Sequence, residues 1–130
     1  MSAASDYLEN KVLDHALATT AFTAPTNVYV GLHTTSPLDD ASGGGEVSGN
    51  GYARKEATFA AASAGSASTN ATITFDAASG GNWGTISHIG IYDALTTGNL
   101  LFHGAVTTSK TIEDGDTFQI SSGNLTISLD

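Results

Sequence analysis

The chain has 130 residues, enough for one domain with a modest core. Four Lys/Arg stand against thirteen Asp/Glu, a formal charge of −9 that repels phosphate backbones and excludes nucleic-acid binding through a broad basic footprint. Cysteine is absent, which excludes a disulfide framework and a thiolate zinc site, while scarce charge and abundant Gly, Ala, Ser and Thr favour strands joined by turns.

No apolar run reaches membrane-spanning length, and the N-terminus lacks the charged-then-apolar layout of a signal peptide, so a soluble chain is expected. A helix is expected over about residues 5–18. Ser5 can cap it, Asp6 and Glu9 suit its first turn, and Leu8, Val12, Leu13, Ala16 and Leu17 form an apolar stripe. Such a stripe serves either to cover one sheet or to dock on a neighbouring subunit. Pro25 bars the helix from continuing, and Val28 to Thr34 then alternates as a strand with Val28, Val30 and Leu32 on one face.

Residues 35–51 contain Pro37, the Asp39-Asp40 pair and five glycines without periodicity. An excursion of this length reads as a long flexible loop, either solvated or ordered against a partner. Tyr52 to Ala60 alternates again. Ala53, Lys55, Ala57 and Phe59 oppose Tyr52, Arg54, Glu56 and Thr58, and the charges suggest one solvent-facing side. The run of small residues from Ala61 to Ser68 suits a loop or a close backbone approach, and Thr72 to Phe75 restores a strand with Ile73 and Phe75 inward.

Gly81 to Thr107 holds the one tryptophan, Trp83, and two β-rich runs, Ile86–Tyr92 and Leu100–Val106. The segment between them ends in Gly98-Asn99, as a hairpin loop should. Both runs carry apolar or small residues on both faces, so the hairpin needs cover from two sides. The helix can supply one cover and another subunit the other, with Gly90 and Gly104 permitting close approach. After the acidic turn Glu113-Asp114-Gly115-Asp116, strands at Thr117–Ile120 and Leu125–Leu129 finish the chain. About seven short strands with frequent turns indicate a mainly β fold, an antiparallel β-sandwich or jelly-roll-like domain with one N-terminal α-helix. Residues 1–130 read as a single domain.

Chemistry is thinly signalled. Gly43-Gly44-Gly45 lacks the following Lys and Ser/Thr of a phosphate loop. His15 lies on the helix, and His33, His88 and His103 lie on three strands. Those three could meet around a metal, but no HxH or HExxH spacing brings them together, so hydrogen-bonded core or interface histidines are expected. Asp39-Asp40 and the Glu113–Asp116 cluster could take a hard cation such as calcium, yet neither has EF-hand spacing, and solvated acidic turns are the default. No catalytic, cofactor-binding or metal-ligating residue is assigned, and no cofactor or enzymatic activity is expected. A metal-dependent hydrolase built on the scattered histidines and carboxylates is a remote alternative.

The segments Ala21–Pro25 with VYVGLHT, Glu46–Arg54, NWGTISHIGIYDALTTGNLLFHGAV and Gly115-Asp116 with SGNLTISLD cover nearly the whole chain. They resemble small tailed-bacteriophage virion proteins of the tail-fibre-like group, some of which are similar to capsid cement or decoration proteins. The resemblance carries no active-site residues. It implies a structural protein made in the host cytoplasm and incorporated in the virion, without nucleic-acid or membrane partners. The leading expectation is a capsid cement protein bridging subunits of the major capsid protein, as a homo-oligomer with a trimer as the favoured form. The alternative it implies is a tail or tail-fibre component, with tail proteins as partners, that serves host attachment.

Overall fold

The computed structural model describes residues 3–129. They form a mainly β domain with one helix and several antiparallel sheets. In chain order the elements are β1 (Ala3–Ala4), α1 (Asp6–Leu17), β2 (Val28–His33), β3 (Lys55–Ala57), β4 (Ser66–Ser68), β5 (Ile73–Thr74), β6 (Gly84–Tyr92), β7 (Leu100–Ile112), β8 (Gln119–Ile120) and β9 (Thr126–Ser128).

A five-stranded sheet in the order β1-β7-β6-β2-β3 is the frame, with β6 and β7 as its longest strands. Their hairpin closes as the sequence suggests. Both oxygens of Asp93 accept hydrogen bonds from Asn99, one from its backbone N–H at 2.7 Å and one from its side-chain amide at 2.8 Å. Gly98 takes a positive φ of 72°, where a side chain would be strained and would also strike Asp93. Two short ladders, β4 with β9 and β5 with β8, supply the opposing layer.

Strand alternation sorts the large sheet into two faces. Val30 pairs with Ile91 and Leu32 with Ile89, and this face joins Ile73, Phe75, Phe118, Leu125 and Ile127 of the ladder side in one apolar cluster. Phe75 packs edge-on against Phe118, with ring centroids 5.9 Å apart. Ile86 and Ile112 have no exposed surface at all and close the core at the far end of the hairpin. The other face carries Tyr29 beside Tyr92, Gly31 beside Gly90 and His33 beside His88.

The helix matches its expected span, but its packing differs from the cover expected for a sheet. Leu8 is its one buried residue, while Val12, Leu13 and Leu17 are exposed. Ser5 fastens the first turn: its hydroxyl donates to Leu100 O and also accepts from Leu8 N–H, and its own N–H donates to Leu101 O at 2.8 Å. The second face of the sheet is covered instead by the stretch after β2. On that face Gly44 O takes the His33 ring at 3.0 Å, Asp39 Oδ1 meets His103 Nε2 at 2.6 Å, and the Glu46 carboxylate lies over Gly31. The same stretch pairs along the edge of β2, where Thr34 N–H donates to Gly45 O and Val47 N–H to Leu32 O, each at 2.9 Å.

Candidate functional site

The second face holds the densest polar arrangement among the described residues. Gly31 and Gly90 are opposite each other on β2 and β6, and their missing side chains leave a hollow. Into it come Glu46 from the loop, Tyr52 and Arg54 from the approach to β3, and Tyr92 from the end of β6. Gly90 was expected to admit another subunit. A side chain there would instead meet Tyr92, Leu100 and His33 of the same chain, so its space is already filled.

Arg54 is the hub. Its Nε and Nη2 donate to the two Glu46 oxygens at 2.7 and 2.8 Å, the planar fork that guanidinium and carboxylate share. Nη1 donates to Ala94 O and Thr97 O at 2.9 and 2.8 Å, which ties down the β6–β7 hairpin loop. The guanidinium carbon lies 3.5 Å from the centre of the Tyr92 ring, a cation–π contact. Despite its charge Arg54 does not face solvent: it is 8% exposed. Period-two alternation places it correctly on the second face, but that face is roofed by residues distant in sequence.

The surrounding groups complete the arrangement. Tyr52 donates to Glu46 Oε1 at 2.8 Å and accepts from Leu32 N–H at 3.0 Å. His33 is buried with both ring nitrogens engaged. Gly44 O can only accept, so Nδ1 carries the proton at 3.0 Å, and Nε2 accepts from the Tyr92 hydroxyl at 2.9 Å. Burial pushes the His33 imidazole below its ordinary value, with Arg54 and His88 adding to the effect and the Gly44 bond and Glu46 opposing it. Burial would raise the Glu46 carboxyl, but hydrogen bonds from Arg54 and Tyr52 outweigh it and hold the carboxyl below its usual range. Burial, reinforced by the Glu46 charge, pushes the Tyr92 phenol up to about 12.

The remaining histidines and carboxylates are spread out. His88 and His33 are cross-strand partners, and His103 pairs with Gly90 on the next strand, so alternation does bring all three to one face. Their polar partners differ, however: His88 Nδ1 meets Ser87 Oγ at 2.8 Å, and His103 Nε2 meets Asp39 Oδ1 at 2.6 Å. His15, on the helix, accepts from Phe22 N–H at 3.1 Å. Among the described residues no three His, Asp or Glu side chains converge as a metal would need. The acidic turns are bound up in hydrogen bonds: Asp40 accepts from Ser42 N–H and Asp116 from Glu113 N–H within their own turns, and Asp114 accepts from the distant Gly80 N–H.

The arrangement on the second face is a clamp. Each polar group in it already has a partner, and no buried side-chain N or O among the described residues lacks one. It holds two loops on the sheet. Sequence reasoning missed it because Glu46 and Arg54 lie either side of a glycine-rich turn with no periodicity between them. The available signal was Arg54 itself, one of four cations in an acidic chain and placed in an alternating segment.

Two clefts open on the core side, neither lined by Glu46, Arg54 or His33. One of about 410 Å3 lies between β7, including Gly104 and Val106, and the ladder residues Phe118, Ile120 and Leu125. A second of about 300 Å3 is lined by apolar and small residues around Phe59, Phe102 and Ile127.

Over residues 3–128 the chain matches the family described as Podophage GP4 fiber I protein gp80. No curated protein matches it. The chain belongs to this fibre family and is a structural protein of the phage virion.

Proposed function

We propose that the chain is a building block of a tail fibre and contributes to host attachment through it, in preference to serving as cement on the capsid. The family match across residues 3–128 carries this reading, because the family is named for a fibre. The geometry agrees with a scaffold role. Buried polar groups among the described residues are satisfied within the chain, the hairpin is braced on both faces, and α1 exposes Val12, Leu13 and Leu17. A fibre component works by presenting rigid surfaces to its neighbours, and the Arg54 clamp supplies rigidity where loops would otherwise move.

Electron microscopy of virions carrying an epitope-tagged chain tests the proposal. Label on fibres at the tail supports it. Label distributed over the head shell overturns it in favour of the cement reading. Adsorption of virions assembled without the chain measures the attachment role, and undiminished binding to host cells would remove that part.

A further inference from the structure

The helix α1 leaves the domain after its first turn. Every residue from Glu9 to Ala21 is exposed, including Val12 at 41%, Leu13 at 53% and Leu17 at 77%. A helix of 12 residues is marginal in water without packing. This one nevertheless turns an apolar stripe to solvent, beyond the reach of its own sheet. An unpacked stripe of this kind marks a contact surface.

The 300 Å3 groove provides a matching recess. Phe59, Ala67, Ile91, Phe102 and Ile127 line it, Ala62 stands exposed on its wall, and no charged residue contributes to it. Charge limits what can sit there. A basic partner would find no carboxylate in the lining, whereas another copy of a chain with net charge −9 is repelled least where the surface carries no charge. The same chain also displays the kind of ligand that such a groove accepts, an amphipathic helix offering its apolar side.

We propose that the Val12–Leu13–Leu17 stripe of one copy docks in the Phe59–Phe102–Ile127 groove of a second copy. The contact is heterologous, since each copy gives a helix and receives one. It therefore closes into a ring or extends into a filament, according to the rotation between copies. This goes beyond the fibre assignment and does not depend on where in the virion the chain resides.

The absence of cysteine makes a direct test available. Leu17→Cys and Ala62→Cys are placed in two separately tagged preparations, at positions exposed in the isolated fold. The preparations are mixed and oxidised. A disulfide joining the two tags is expected. In parallel, Leu13→Glu with Leu17→Glu should weaken self-association in sedimentation by about tenfold or more. Circular dichroism of the sheet should be unchanged, because both side chains are already exposed. Disulfides confined to pairs of Leu17→Cys copies would show helix packing on helix and overturn the proposal. So would closure within single molecules of the double-cysteine variant at high dilution, and so would a chain that stays monomeric at every concentration.

Discussion

Gly31 and Gly90 face each other across β2 and β6, and the hollow they leave is what admits the Glu46–Arg54 pair and the Tyr92 ring. A Cβ at Gly31 would lie 2.8 Å from Glu46 Oε1 and 3.0 Å from Tyr92. At Gly90 it would lie 2.8 Å from Tyr92 and 2.9 Å from Leu100. Glu46 and Tyr92 are held by hydrogen bonds and the Leu100 side chain is buried, so none of them can retreat freely. Gly31→Ala and Gly90→Ala are each expected to cost about 1–3 kcal/mol in chemical denaturation, the range for overpacking. A neutral result at both positions would mean that the hollow is slack.

Removing one charge of the clamp should cost more than removing both. Glu46→Gln keeps the shape but leaves the Arg54 guanidinium buried without its counter-charge, an expected loss of about 2–3 kcal/mol. Arg54→Met with Glu46→Gln should recover part of that loss, because no buried charge is left unpaired. A double-mutant cycle on urea midpoints reads the coupling directly. Strict additivity would show that the two residues do not act as a pair.

Acid should weaken the fold in two steps whose direction follows from the protonation states. Folded His33 binds its proton less readily than the unfolded chain, whose histidine has the ordinary value near 6.5. Stability is therefore lost as pH falls below that value, until the lower folded value is reached. Glu46 behaves likewise in a lower window. Its stabilisation is complete above the ordinary 4.5 and disappears as pH falls through the depressed folded value. Melting temperature should fall between about pH 7 and pH 5, and His33→Phe should flatten that slope while lowering the value at neutral pH. Equal slopes in both proteins would remove His33 as the cause.

Ser5 is expected to be the most sensitive position of the N-terminal segment. It caps α1 and fastens the segment to Leu100 and Leu101. Ser5→Ala should cost about 1–2 kcal/mol, the upper range for an N-cap. Faster amide exchange should follow across the helix but not across β6 and β7. Leu17→Ala, at a side chain 77% exposed, should leave the stability of the isolated domain unchanged.

Strand periodicity made much of the frame legible. The β6–β7 hairpin, the inward Val30 and Leu32 and the inward Ile73 and Phe75 all lie where alternation puts them, since burial on one face imposes a period of two. The extent of β7 was not legible. Ala105 pairs with His88 and Lys110 with Ile86, so the register slips and β7 runs on to Ile112, six residues past the expected run Leu100–Val106.

The sequence by itself determined the fold class, the helix cap at Ser5 and the hairpin turn at Asp93–Asn99, because each rests on contacts between near neighbours or on a regular period. Tertiary structure alone decided the fate of Arg54 and of the apolar side of α1. Burial of Arg54 needs Glu46 from one loop, Ala94 and Thr97 from another and Tyr92 from the sheet to arrive together, and none of these is specified by local spacing. The helix stripe has the periodicity of a packed face, but periodicity cannot say whether a partner surface lies within reach. In this fold the second face of the sheet is taken by the loop after β2, and the helix is left pointing outward.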